Sequence, residues 1–208
     1  NAFMLRTDSD KKLDQFKKYS SIPIINGLSP SSHPTQVLSD IFTIQEIKKK
    51  SISKLKLCWI GDANNNMMNS LIEACIKFSV SLNIACPKSF QPNKILISLI
   101  KKQKGKIKIF NKKEIAIKNS DVVMTDKIIS LNDKVNKKKK LKSFKNFKVD
   151  TKTMNLAKKD AIFLHCLPRG NEVTEEVFLG KQSRVWQQAL NRVYVQKSIL
   201  LYCFGKLR

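Results

Sequence analysis

Several things are missing from this sequence, and each absence closes off a class of function. No apolar run approaches the ~18 to 20 residues that a membrane-spanning helix needs, so no membrane partner is expected. Neither GxGxxG nor GxxxxGK followed by Ser or Thr occurs, so the common nucleotide cradles are absent. The five cysteines, Cys58, Cys75, Cys86, Cys166 and Cys203, are odd in number and lack CxxC or His/Cys zinc spacing; no metal site is expected. With no signal peptide in view, a reduced cytoplasmic compartment is the expectation, and most of these thiols read as buried and inert. Arginine is scarce as well: five arginines stand beside 35 lysines in a chain of net charge +24. Nucleic-acid readers concentrate arginine and aromatics on one face, whereas these lysines are scattered through every segment, so no specific nucleic acid is expected as a partner. A compositional bias of the source genome explains such a spread.

What is present is a chain of 208 residues, 42% hydrophobic and 27% charged, long enough for one or two globular domains. It begins on Asn1, and Ala2 to Thr7 already read as a buried strand ending at a polar tip. A parallel strand needs neighbours and crossovers, so the sequence is expected to begin inside a domain. Asp10 to Tyr19 reads as a short amphipathic helix, Ile22 to Gly27 as a strand, Leu28 to Pro34 as a loop, and Gln36 to Lys49 as a partly buried helix. An α/β rhythm follows. Strands are expected at Leu55–Ile60, Leu82–Ala85, Ile107–Phe110, Val122–Thr125 and Ala161–Leu164, with helices at Ser70–Phe78, Ile95–Lys102 and Glu114–Lys118. Such alternation predicts an α/β fold with a doubly wound, Rossmann-like parallel sheet. The run Lys137–Lys140 reads as the solvated side of a loop and helix start, and Ser183–Phe204 as a long terminal helix whose broad apolar face packs on the rest.

Ligands of doubly wound sheets bind beyond the carboxyl ends of the strands, which singles out the residues just after each one. These are Arg6; His33 and Gln36; the turn Gly61-Asp62-Ala63-Asn64-Asn65-Asn66; Asp126; and His165-Cys166-Leu167-Pro168-Arg169. The amides and carbonyls of the 61–66 turn suit the carboxylate and ammonium of a small zwitterion. A thiol nucleophile at Cys166 with His165 as its base is disfavoured, because adjacent residues of a strand point to opposite faces.

In order and at compatible spacing, five strings resemble those of the aspartate/ornithine carbamoyltransferase family over essentially the whole chain. His33-Pro34-Thr35-Gln36 is like its HPxQ, Gly61 to Asn65 like its GDGNN, and Asp126 to Leu131 like its DxWxSM. His165 to Arg169 is like its HCLPR, and Asn191-Arg192 like the end of its ENR. Cys166 and the Asp126–Leu131 string resemble the ornithine rather than the aspartate branch, whose element carries HPLPR. The resemblance implies transfer of a carbamoyl group from carbamoyl phosphate to the δ-amine of L-ornithine, giving L-citrulline and phosphate without cofactor or metal. By similarity Arg6, His33, Gln36 and Arg192 would contact carbamoyl phosphate, with the Leu167 carbonyl accepting from its nitrogen. Asn65, Asp126, Ser130 and Leu131 would hold ornithine, and Cys166, with Asp126, would lie beside the δ-amine, a carboxylate or thiolate there taking its proton.

The resemblance further implies that residues 1–50 finish a carbamoyl-phosphate domain, 51–185 form an ornithine domain, and 186–208 form a helix returning to the first. The family's Ser-Thr-Arg-Thr phosphate turn would lie upstream of Asn1, so a truncated chain is expected, and a homotrimer for the intact protein. Ile128, Leu131 and Ala63 replace the usual tryptophan, methionine and glycine, and Gln188-Ala189-Leu190 precedes Asn191 in place of an acidic pattern. The changes in the acceptor loop motivate alternatives: another amine acceptor such as putrescine or lysine, or a degenerate homologue without activity. The charge of +24 motivates a third, a lysine-rich nucleic-acid-binding derivative.

Overall fold

Hydrophobic residues at 57–60, 122–124 and 162–164 come in unbroken runs rather than in alternation, as central strands of a parallel sheet covered on both faces demand. The computed structural model describes residues 1–102, 106–129 and 136–207. Five strands, β3 (Lys56–Ile60), β4 (Ser81–Ala85), β5 (Ile107–Phe110), β6 (Val122–Thr125) and β7 (Ile162–His165), form one parallel sheet in the order β5-β4-β3-β6-β7. Along β3, Leu57 and Trp59 enter one apolar cluster while Cys58 and Ile60 enter the cluster on the opposite face. The first cluster is closed by α3 (Asn66–Lys77) and α4 (Lys94–Lys101), and by Val37, Ile41 and Ile44 of α2 (Pro34–Lys48). The second is closed by Phe144, Phe147, Met154, Val177 and Phe178, from the segment that follows β6 and the one that follows β7. The expected doubly wound α/β fold is therefore present.

A second parallel sheet has two strands, β1 (Phe3–Arg6) and β2 (Ile24–Leu28), joined by α1 (Asp10–Tyr19). Ser9 caps α1 by accepting the Lys12 N–H. Helix α2 leaves this sheet and packs along the first cluster of the larger one. The terminal helix α9 (Val185–Cys203) then lies against α2, where Gln188, Gln187 and Asn191 reach Asp40, Glu46 and Thr43.

Five expectations need correction. β1 is not a buried strand: Phe3 and Met4 are exposed, because its sheet has only two strands and α1 buries no residue against it. Helix α3 starts at Asn66 rather than Ser70, because Asn65 accepts the Met68 N–H and so begins the helix inside the polar turn. The helix expected over Glu114–Lys118 is the four-residue α5 (Lys113–Ala116) and the helix start expected near Lys137 is α6 (Lys137–Ser143), whereas α7 (Thr151–Met154) and α8 (Glu175–Phe178) occupy connections for which no helix was expected; four residues are too few to display a periodicity. Lys140 is not solvated: it is buried, and its Nζ meets Asp62 Oδ2 at 2.6 Å above the Phe90 ring, while Lys137 to Lys139 are exposed. The buried residues of α9 are Val185, Gln188 and Asn191, two of them polar, whereas Trp186 remains 61% exposed. The apolar face of α9 is thus mostly open, and the packed face is the one whose amides find buried acceptors on α2.

Candidate functional site

The larger sheet winds outward from β3 through β4 to β5, and then the chain returns to place β6 on the other side of β3. At such a switch point the loops after adjacent strands diverge and leave a crevice. Gly61 lies there with φ +146, and a Cβ on it would come within 3.2 Å of Thr125 Oγ1, so only glycine lets the β3 and β6 ends approach this closely. Beyond these ends, and beyond the end of β1, lies a cleft of about 480 Å³.

Seven residues singled out in the sequence meet in its lining: Arg6, His33, Gln36, Asp126, Cys166, Leu167 and Arg192. Arg6 stands at the end of β1. His33 occupies the cap position of α2, just before Pro34, with its backbone N–H bonded to Ser70 Oγ at 2.8 Å. Burial, with the Arg192 and Arg6 charges nearby, pushes its imidazole down to about 4, so His33 is neutral at pH 7. Gln36 is buried one turn into α2, and Arg192 reaches the cleft from α9 with its Nε unpartnered.

On the opposite side, Asp126 follows β6 and accepts the Lys127 N–H at 2.7 Å. Burial, together with the nearby Glu172 and Asp62, pushes its carboxyl up to about 6, against the pull of the Lys127 N–H and His165; the group remains ionised above that pH. The Cys166 thiol is pushed well above its usual range by burial and by Asp126 and Asp40, with Arg192 opposing. It is a neutral thiol at pH 7, which removes the thiolate alternative for the proton acceptor. His165 turns away from Cys166 as the strand geometry requires. Its Nε2 meets Glu172 Oε1 at 2.8 Å, its Nδ1 faces the Cys166 carbonyl, and its ring packs against Phe163 and Phe178. Burial would raise the Glu172 carboxyl, but His165 and the Gly170 N–H hold it below the usual range.

Asn65 is not brought into the cleft. Its Oδ1 accepts the Met68 N–H at 2.8 Å and its Nδ2 donates to the Asp62 carbonyl at 3.1 Å, so both ends of the amide serve the turn. Its neighbour Asn66 lines the cleft instead, with Met67. Ser130 and Leu131 lie outside the described residues. Ile128 sits in the second apolar cluster and lines a separate cavity of about 630 Å³ with Phe144 and Lys145. Arg169 lies over the Phe178 ring at 5.0 Å. Among the described residues, no three His, Cys, Asp or Glu side chains converge as a metal-binding group, and no helix is long and apolar enough to cross a membrane. Sequence reading also missed Asp40, Gln188 and Glu172; the i, i+4 spacing of Gln36 and Asp40 is the signal that would have found the first.

Residues 1–46 match the family described as aspartate/ornithine carbamoyltransferase, carbamoyl-P binding domain, and residues 53–203 match its Asp/Orn binding domain. The ornithine carbamoyltransferase of Caldicellulosiruptor saccharolyticus is 42% identical over 98% of this chain and 68% of its own length. That of Methanocorpusculum labreanum is 39% identical over 95% of the chain and 65% of its own length. Among solved structures, the anabolic ornithine carbamoyltransferase of Campylobacter jejuni superposes with a TM-score of 0.91 at 39% identity, covering 98% of this chain and 69% of that one. The enzyme from Pyrococcus furiosus gives a TM-score of 0.90 at 34% identity, over 100% of this chain and 68% of that one. The chain thus spans about two thirds of the length of these relatives.

Proposed function

The chain belongs to the aspartate/ornithine carbamoyltransferase family, and from that premise we propose that it carries the acceptor side and part of the donor side of an ornithine carbamoyltransferase. The reaction moves the carbamoyl group of carbamoyl phosphate to the δ-amine of L-ornithine, yielding L-citrulline and phosphate. The observation that carries this reading is the cleft itself: Arg6, His33, Gln36 and Arg192 face Asp126 and Cys166 across one space.

Attack of the amine on the carbamoyl carbon places negative charge on the carbonyl oxygen. Arg6 and Arg192 are permanently charged, and neutral His33 offers one ring N–H, so these donors are assigned to that oxygen and to the phosphate. As the C–N bond forms and the C–O bond to phosphate breaks, the amine must shed a proton. Asp126, ionised above about pH 6, is assigned as its acceptor, and the neutral Cys166 thiol as a hydrogen-bonding neighbour. The N-terminus of α3, lined by Asn66 and Met67, suits the α-carboxylate of the amino acid. Ser130 and Leu131 keep their role toward ornithine by family resemblance, and the Leu167 carbonyl its role toward the carbamoyl nitrogen. Ile128 packs in the core rather than in the cleft, so its departure from tryptophan gives no support to another amine acceptor.

Residues 1–50 are proposed to close the donor domain, 51–185 to form the acceptor domain and 186–208 to return to the first; the matched ranges 1–46 and 53–203 favour a boundary near residue 50, and the packing of α9 on α2 favours the return. We also propose a cytoplasmic homotrimer for the full-length protein; a stable monomer by light scattering would contradict the trimer. The functional test is citrulline formation by a chain carrying the upstream third that its relatives possess. His33→Ala and Arg192→Ala should each lower kcat by about 10²- to 10³-fold. A folded chain of that length that makes no citrulline overturns the reading.

A further inference from the structure

Asp40 lies in the middle of α2, fully buried, and no step of the carbamoyl transfer uses it. Its Oδ1 accepts two side-chain amides: Gln36 Nε2 at 2.9 Å from its own helix, and Gln188 Nε2 at 2.7 Å from α9, 148 residues away in sequence. Gln188 is buried too and spends its other end on β7, where Oε1 accepts the backbone N–H of His165 at 3.0 Å. His165 closes β7 and leads directly into Cys166 and Leu167. A buried chain of hydrogen bonds therefore runs from Gln36 on one wall of the cleft, through Asp40 and Gln188, to the backbone that carries the other wall.

An apolar side chain at this position would fill the space without the cost of burying a carboxylate. The carboxylate is also incompletely satisfied: Asp40 Oδ2 is buried without a hydrogen-bond partner, and so is Nε of Arg192. The charged and titratable groups facing Asp40 are Arg192 of α9, Asp126 after β6 and Cys166 after β7. All three line the cleft.

We propose that Asp40 is a positioning residue of the cleft: it holds Gln36 and, through Gln188, the backbone leading to Cys166 in one register, and it brings a negative charge to bear on the Cys166 thiol. The meaning of the two walls rests on the carbamoyl-transfer reading; the register and the charge belong to the folded chain regardless.

The test is alkylation of Cys166 by iodoacetamide as a function of pH, followed at the Cys166 peptide by mass spectrometry. Asp40→Asn keeps the shape and removes the charge. It should lower the pH midpoint for Cys166 and so speed its alkylation below both midpoints. Protection of Cys58, Cys75 and Cys86, all buried, reports that the fold is intact. Gln188→Met keeps the charge and cuts the link to His165, so Cys166 should react several-fold faster at every pH without a lowered midpoint. A purely structural Asp40 would leave the midpoint where it is. If Asp40→Asn loses protection of the three buried thiols, Gln188→Met decides, and an unaltered Cys166 profile in either folded variant overturns the proposal. Absence of citrulline formation alongside the expected shifts would overturn the carbamoyl-transfer reading alone.

Discussion

The two sheets follow the same strand-helix-strand grammar and end in different physical states. In β6 and β7 every residue is buried, because each strand has a neighbour and both faces of the sheet carry a layer of side chains. In the two-stranded sheet, Phe3 and Met4 of β1 are exposed, and α1 buries no residue at all. Phe16 of α1 stacks on Phe3 at 5.9 Å between centroids, yet stays 48% exposed. The same residue types therefore contribute very differently, and what separates them is the number of layers packed around the strand. The cleft draws on both sheets. Arg6 comes from the thin one, Asp126 and Cys166 from the thick one, and α2 carries His33 and Gln36 between them.

Truncating one aromatic in each half tests the difference in layering. Trp59→Ala or Phe163→Ala should cost about 3 to 5 kcal/mol in urea unfolding, because both side chains are fully buried. Phe16→Ala should cost no more than about 0.5 kcal/mol. Amide exchange should follow the same order, with β1 exchanging well before β3 and β6. Equal costs in the two halves would contradict the difference in layering.

The bridging helix α2 carries two buried groups whose titrations pull stability in opposite directions. His33 is held at about 4 against an unfolded value near 6.5, so its contribution to stability is present above pH 6.5 and is lost as pH falls toward 4. Asp40 is raised to about 6 by burial, and by Asp126, against the pull of Gln188, Gln36 and Arg192. Its contribution is full below an unfolded value near 3.9 and is lost as pH rises through 6. The two slopes oppose each other between pH 4 and 6, each worth about 3 kcal/mol. Asp40→Asn should therefore lose stability on acidification from pH 6.5 to 4 more steeply than the parent, and His33→Asn less steeply. Parallel urea-midpoint curves for parent and both variants would contradict the assignment.

The smallest effect belongs to the turn after β3. Asn65→Ala removes the acceptor of the Met68 N–H and should cost about 1 kcal/mol of thermal stability. If Asn65 acts as a cap, its replacement by Asp or Ser should recover most of that loss; failure of either to do so would point to a different role.

Much of the site was legible because it follows from position along strands. Arg6, Asp126 and Cys166 come directly after β1, β6 and β7, and the carboxyl ends of parallel strands converge, so residues distant in sequence could be expected to meet. His33 and Gln36 were legible for a related reason, at the entry to the helix that follows β2. Asn65 lies outside the cleft lining because its residue type suits a cap as well as a ligand, and only the course of the turn assigns its amide to Met68 and Asp62. Lys140 was misread because four consecutive lysines look alike until one of them faces Asp62 over the Phe90 ring.

The alternation of strands and helices, the parallel sheet and the side chains available at the strand ends are written in the order of residues along the chain. Those depend on local periodicity and on short-range turn chemistry, which neighbouring residues carry among themselves. Only the tertiary structure decided which polar groups are buried and what they meet: Asp40 with Gln188, His165 with Glu172, Asp62 with Lys140. Burial is a property of what the rest of the chain places over a residue, and for these groups the covering partner lies as far as 148 positions away. The ionisation of His33, Asp126 and Cys166 follows from that covering, so the chemistry of the cleft was settled by packing rather than by motif.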